Sequence, residues 1–487
     1  MIHYIVFLLI IIYFVLHKNV IFNNSNITNL LFKNQYLIVK KNTKGSYRFT
    51  RGLKKTIFNT YYVYTGENTK IVNYKNSILI IGFIIDPYNY KLSNRDIAIT
   101  LFGINNYRTF FKKLQTLSGR FIIFNNKLNI VCNDSCAIKK MFYYKTQIFS
   151  SSEKIILNFL NKRETISRDK QDYITSNKFV KSEHKWYSNE GYDNTILLLL
   201  PNTYLNIVNN RILRMPFFIP SIENNMVARE IGKIISNSIK ALLYRKQKLI
   251  QPITSGTDSR VLLSCIKHFH HKIKFYIFSN KTNKFRNDKD SSVANRISNK
   301  FNINFKDIII NNNTLDPGFE FIFRSLHIVP RVLYKTKYIE YHYKHNNHKN
   351  IININGNCAE ILKENYNNNK KINNYSSFLK AINQTNPLKY IEKSLNKYYN
   401  NSIGICNKHN IDICNLYHWE LQHGLWSTLY PLEQDIAIEE FSPFNNREII
   451  LMGLKLDRDK RTIDNNFLLF QEIIKYYWKD LMFINFN

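Results

Sequence analysis

Between Gln35 and Leu160 the apolar positions fall in short runs separated by polar turns, the texture of a strand-rich region. Ile78–Ile85 is apolar except for Gly82 and closes on Asp86-Pro87, which predicts a buried strand. Arg120–Phe124, the turn Asn125-Asn126 and Leu128–Val131 read as a hairpin. Met141–Tyr144 and Gln147–Ser150 read as a second one. Helical spacing occurs over Asn94–Leu101 and Tyr107–Leu117. Residues 35–170 are therefore expected to form an α+β layered sandwich. Residues 171–224 read as a connector carrying a short β element around Leu205–Leu213.

From residue 225 the texture changes. Met226–Tyr244 places Val227, Ile231, Ile234, Ile235, Ile239 and Leu242 on one helical face. Pro252-Ile253 ends a strand, a Ser/Gly turn follows, and Arg260–Lys267 is helical. Lys274–Phe278 is a strand, Ser291–Lys300 a helix, Asp307–Ile310 a strand, and 350–355 one more strand. This alternation predicts an α/β doubly wound parallel sheet over 225–487. Residues 366–402 read as a helical, partly mobile insertion, and Leu416–Leu481 as mainly helical.

Residues 1–22 carry an apolar run, Ile5 to Leu16, followed by His17, Lys18, Lys33, Lys40 and Lys41. A dozen apolar residues is short for a span of about 17–25, and the run lacks a basic leader and a small-residue cleavage site. The expectation is a membrane anchor or a signal-like segment, an anchor placing the body on the cytoplasmic face, or a cytoplasmic protein if the run is buried. The six cysteines of this 487-residue chain exclude a disulfide scaffold. The net charge of +34 invites a nucleic-acid reading, but no run of five or six basic residues exists. Asn is roughly one residue in seven, the mark of AT-rich codons, so the charge reads as compositional drift. No specific nucleic-acid partner is expected.

The chemistry is carried by Thr254-Ser255-Gly256-Thr257-Asp258-Ser259, set between a strand and a helix. Gly256 lets backbone N–H groups approach a phosphate, and the following helix directs its positive end there. Thr254, Ser255 and Ser259 add hydroxyl donors. Asp258 repels a bare phosphate and makes sense only with Mg²⁺ between them. The loop lacks the Gly-Lys-Ser/Thr ending of a Walker A motif.

This loop resembles the pyrophosphate loop of the asparagine synthetase family, Ser-Gly-Gly-x-Asp-Ser. That family's later signature, Ser-Gly-x-Gly-x-Asp-Glu, is similar to Asn355-Gly356-Asn357-Cys358-Ala359-Glu360-Ile361. Ser442–Glu448 resembles its C-terminal Pro-Phe block. Leu117–Phe121, Asn133–Ser135, Phe149–Ser152 and Leu200–Leu205 resemble blocks of its N-terminal class II glutamine amidotransferase-like domain and the strand that follows it. The resemblance runs in order over about residues 35–480.

It implies an ATP-dependent ligase that adenylates a carboxylate, aspartate by family default, releases pyrophosphate and forms an amide. Asp258 and Glu360 would be catalytic and would hold Mg²⁺. Thr254, Ser255, Gly256, Thr257, Ser259 and Gly356 would hold ATP, with Phe278 walling the adenine. A homodimer is an assembly open to such a chain. Departures qualify the resemblance. Met1-Ile2-His3 offers no N-terminal Cys nucleophile, and Cys132 is the first cysteine, so ammonia or an amine is expected in place of glutamine hydrolysis. Cys358 and Ile361 erode the second signature, and the family's basic C-terminal segment has no counterpart before Asn487. The alternatives are a catalytically degenerate, membrane-tethered member with a binding role, and a pyrophosphate-loop enzyme modifying tRNA.

Other groups read as bland. Cys132 and Cys136 lack a second pair at zinc spacing and are expected to be structural. His268, His270 and His271 read as a solvated helix end, His418 and His423 as packing or polar rim, and Glu439-Glu440 as a solvated face.

Overall fold

In the computed structural model, residues 30–66, 68–279, 284–310, 314–346, 350–366 and 372–484 are described. The apolar run within residues 1–22 lies outside them. Among the described residues no helix is long and apolar enough to cross a membrane.

The N-terminal half is built from two antiparallel sheets. The first has the order β10-β8-β9-β1-β3-β2, with β1 Tyr36–Lys40, β2 Lys54–Phe58, β3 Tyr61–Thr65, β8 Phe142–Tyr144, β9 Ile148–Ser150 and β10 Leu197–Leu198. The second has the order β12-β11-β7-β6-β5-β4, with β4 Ile71–Tyr74, β5 Ile78–Ile85, β6 Ser118–Asn125, β7 Ile130–Asn133, β11 Thr203–Asn206 and β12 Arg211–Arg214. Both expected hairpins form, as β6–β7 and β8–β9. Strand side chains alternate between faces, and β5 shows the result. Leu79 and Ile81 join Tyr36, Ile38 and Val63 in the core between the sheets. Ile78, Ile80 and Ile84 face the helices Asn94–Phe102 and Tyr107–Gln115 on the other side. This is why all eight residues of β5 are buried. Strands β10, β11 and β12 come from the segment read as a connector, and they complete both sheets.

The third sheet is wholly parallel. It contains β13 Lys248–Pro252, β14 Lys274–Ser279, β15 Phe305–Ile309, β16 Ile351–Ile354 and β17 Glu439–Phe441, in the order β15-β14-β13-β16-β17. The chain therefore winds outward from β13 in one direction and then restarts at β16 in the other. The helix Val227–Tyr244 buries the predicted face and packs against Leu468–Trp478.

Two expectations change here. Lys389–His409 is a continuous helix whose Tyr390, Ile391, Leu395 and Tyr398 enter the main core, so this part of 366–402 is packed structure. Glu439-Glu440 starts β17, and Glu440 is buried because its strand is covered by neighbouring elements. Two glutamates read as surface when their strand partner is 87 residues away.

Buried polar bonds join the sandwich to the parallel-sheet half. Arg120 makes a two-pronged ion pair with Asp435, at 2.6 and 2.8 Å, and both side chains are almost fully buried. Asn445 donates to the Gly119 carbonyl (2.7 Å) and to Asp134 (2.8 Å), and accepts from the Cys136 N–H (2.8 Å). Arg447 donates to Asn202 at 2.6 Å. Gly119 has φ +133, and a Cβ there would lie 2.3 Å from the Phe83 carbonyl, so only glycine fits. The blocks Leu117–Phe121, Asn133–Ser135, Leu200–Leu205 and Ser442–Glu448 thus meet at one interface.

Candidate functional site

In an open parallel sheet, ligands bind beyond the C-terminal strand ends where the strand order reverses. Here that place lies between β13 and β16. The segment after β13 is the loop 254–259, and the segment after β16 is 355–360.

Thr257–Cys265 forms the helix after the first loop, with Gly256 as its N-cap in an extended conformation. Glycine has no side-chain acceptor for the first-turn amides, which leaves the helix dipole facing the cavity without a side-chain cap. The loop also braces itself. Thr254 and Ser259 hydroxyls are 3.0 Å apart, Ser259 Oγ accepts from the Thr254 N–H, and the Gly256 N–H donates to Thr254 Oγ1 at 3.2 Å. Ser255 gives both its N–H (2.8 Å) and its hydroxyl to Asp290. Thr257 Oγ1 donates to Asp258 at 3.3 Å. The loop hydroxyls expected to meet phosphate therefore close the loop on itself and on Asp290.

Asp258 and Glu360 line one cavity of about 480 Å³, together with Thr254, Ser259, Gly356 and Lys335. The approach of the two loops is close. A Cβ on Gly356 would lie 2.8 Å from the Asp258 Cβ, so glycine is required for the loops to touch. The Lys363 ammonium donates to both carboxylate oxygens of Asp258, at 2.7 and 3.0 Å. Glu360 is water-accessible but stands inside the concave wall. Its partial desolvation raises its pKa, the Lys363 charge opposes this, and the Asp258 charge adds to the rise.

Phe278 is placed differently from expectation. It stacks on Tyr338 with ring centroids 4.4 Å apart and planes 2° from parallel, and it meets Tyr341 and His342 edge-on. Tyr338 lines the cavity and Phe278 backs it. The helix Thr336–Asn346 comes between, because its aromatic face needs an apolar partner.

Several residues of the site escaped the sequence reading. Lys363 had a usable signal: it stands three residues after Glu360 in a 3₁₀ turn, where such side chains eclipse. Asp290, Lys335 and Arg331 had none, since they arrive from other elements. Arg331, buried against Glu433 at 3.1 Å, also lines the cavity. A π-helix, His418–Ser427, brings His423, Trp426 and Ser427 to the cavity lining. π-Helical turns are rare and cluster at functional sites. Beneath the cavity, Tyr276 donates to Asn353 (3.1 Å), and Asn353 donates to Glu440 (2.8 Å).

No protein-family model matches the chain, and no curated protein matches it.

Proposed function

We propose that this chain is an ATP-dependent, amide-forming ligase of the asparagine synthetase type, using ammonia or an amine. One observation carries the reading: the two loops bearing Asp258 and Glu360 leave adjacent central strands at the reversal of strand order and share one cavity. ATP is a substrate in this reading.

The residues fit Mg²⁺, which prefers hard oxygen ligands. Two carboxylates face one space, and at present the Lys363 ammonium answers the Asp258 charge. Asp258 and Glu360 would hold the ion, which when bound neutralises charge on the departing pyrophosphate. The chain's own contribution is positioning. The first-turn amides of Thr257–Cys265 face the triphosphate, with Gly256 leaving them uncapped. Lys335 and Lys363 supply positive charge for it. Tyr338, braced by Phe278, offers a flat apolar wall for a base. The acceptor carboxylate would displace pyrophosphate at the α-phosphorus, and the amine would then displace AMP at the acyl carbon. Balance holds with ATP, carboxylic acid and amine alone.

A second reading, a non-catalytic binding protein, is favoured by the Lys363 ion pair that occupies Asp258. ATP–pyrophosphate exchange with a panel of carboxylic acids separates the two, comparing the natural chain with Asp258→Ala. Exchange that depends on one acid and falls at least a hundredfold in the variant is expected. Absence of exchange with every acid, or equal exchange in the variant, would sink the ligase reading.

A further inference from the structure

At the edge of the same cavity, three metal-binding side chains converge from three separate parts of the chain, two of them lining it. Cys136 follows β7 in the sandwich, Cys358 follows β16, and His423 lies on the π-helix. One ligand atom from each falls within 4.8 Å of the others, and all three residues are buried. Cys358 Sγ and His423 Nε2 are 3.3 Å apart. Tetrahedral ligation at about 2.3 Å to sulfur and about 2.0–2.1 Å to nitrogen separates ligand atoms by roughly 3.5–3.8 Å. The cluster is therefore already near the size of a metal shell.

Simple core packing of two thiols and a neutral imidazole is the plainer account, and three observations weigh against it. First, among the described residues His423 Nε2 meets only the Cys358 sulfur, so this ring nitrogen is turned into the cluster and not toward an oxygen. Second, Cys358 has φ +71, a left-handed backbone that suits glycine and is unfavourable for a residue with a side chain. The strained backbone holds a sulfur at the cluster. Third, the loop bearing Cys136 is fixed from two sides. Asn445 Oδ1 accepts from the Cys136 N–H at 2.8 Å, and Trp419 Nε1 donates to the Ser135 carbonyl at 2.8 Å. Outer bonds of this kind orient metal ligands.

We infer that Cys136, Cys358 and His423 form a three-ligand site for a zinc-class divalent ion. Two thiolates and an imidazole are soft-to-borderline ligands and select zinc over Mg²⁺. Cys358 and His423 also line the cavity, so a fourth position opens onto it for water or a substrate group. Three protein ligands with one open position is the arrangement of catalytic zinc. Binding releases two protons, one from each thiol, while the imidazole stays neutral. The ion would also tie the sandwich to the parallel-sheet half. The inference stands independently of the ligase reading.

The test uses the full chain, purified reduced, with Co²⁺ and Zn²⁺ as probes. One equivalent of Co²⁺ is expected to give sulfur-to-cobalt charge-transfer absorption and intense tetrahedral d–d bands. Zn²⁺ should displace it, with release of about two protons per ion at a pH where both thiols begin protonated. Cys136→Ser and His423→Ala should weaken Co²⁺ binding at least tenfold, and Cys132→Ser should leave it unchanged. Cys358→Gly guards against misfolding, since glycine suits the left-handed backbone. It should remain folded by circular dichroism and lose the charge-transfer band. Reduced, folded protein that takes up no ion overturns the inference. So does a band of equal intensity in the Cys136, Cys358 and His423 variants.

Discussion

Glu440 offers a measurement of how the interface beneath the cavity is built. Its side chain is 1% exposed on β17, one carboxylate oxygen accepts from Asn353, and the other has no partner among the described residues. Burial pushes its pKa up to about 7 from 4.5, against the Asn353 hydrogen bond and the Arg120 charge. The folded state thus holds this proton more tightly than the unfolded state. The stabilisation is complete below pH 4.5 and disappears as pH rises through 7. A gap of about 2.5 pH units, at about 1.4 kcal/mol each, amounts to about 3 kcal/mol in total. Most of it, roughly 2–3 kcal/mol, is lost between pH 5 and pH 8. That is a large part of a typical folding free energy. Glu440→Gln keeps the shape and removes the titration. Urea unfolding of both proteins at pH 5 and pH 8 isolates this group, because every other titration is shared. The natural chain should lose roughly 2–3 kcal/mol more than the variant between the two pH values. Parallel pH profiles would refute a proton bound at Glu440 in the folded state.

Two further predictions concern the same region. Asp435→Asn leaves Arg120 buried and unpaired and should cost about 3–5 kcal/mol in urea unfolding, whereas Arg120→Met with Asp435→Leu should recover most of the loss. Gly356→Ala drives a methyl against Asp258, at 2.8 Å before relaxation. It should destabilise by about 1–3 kcal/mol, and any ATP–pyrophosphate exchange should fall out of proportion to that loss because Asp258 is displaced.

Local pattern made much of the fold legible. Ile78–Ile85, both hairpins and the helix from Val227 carry their structure in contiguous residues, so periodicity finds them. The order of the parallel sheet is not local, and neither is β17, three residues long and defined by pairing with β16. The charged residues at the interface mislead for the same reason. Arg120 and Asp435 are covered by each other across 315 positions, and Glu440 pairs with Asn353 across 87. Asp258, Glu360 and Gly356 each sit in a short motif that the sequence singles out, and the fold brings all three to one cavity. Lys363 blocking Asp258, Asp290 holding Ser255, and Tyr338 standing before Phe278 are meetings between elements. Cys136, Cys358 and His423 carry no zinc spacing along the chain, because these residues meet only through tertiary packing.

The contact of Asn445 with Cys136 spans 309 residues, and this has a consequence for synthesis. A ribosome adding about 5–20 residues per second needs roughly 15–60 s to make that stretch. The sandwich is complete only once β12 ends at Arg214, so for roughly 12–46 s of that time, the interval from 214 to 445, it would exist with Asp134 and Arg120 lacking the groups that later cover them. A waiting surface of this kind invites chaperone capture, and it ties the ordering of the sandwich's inner edge to the last part of the chain. Truncation before Asn445 would then damage the first-made half as well as the last.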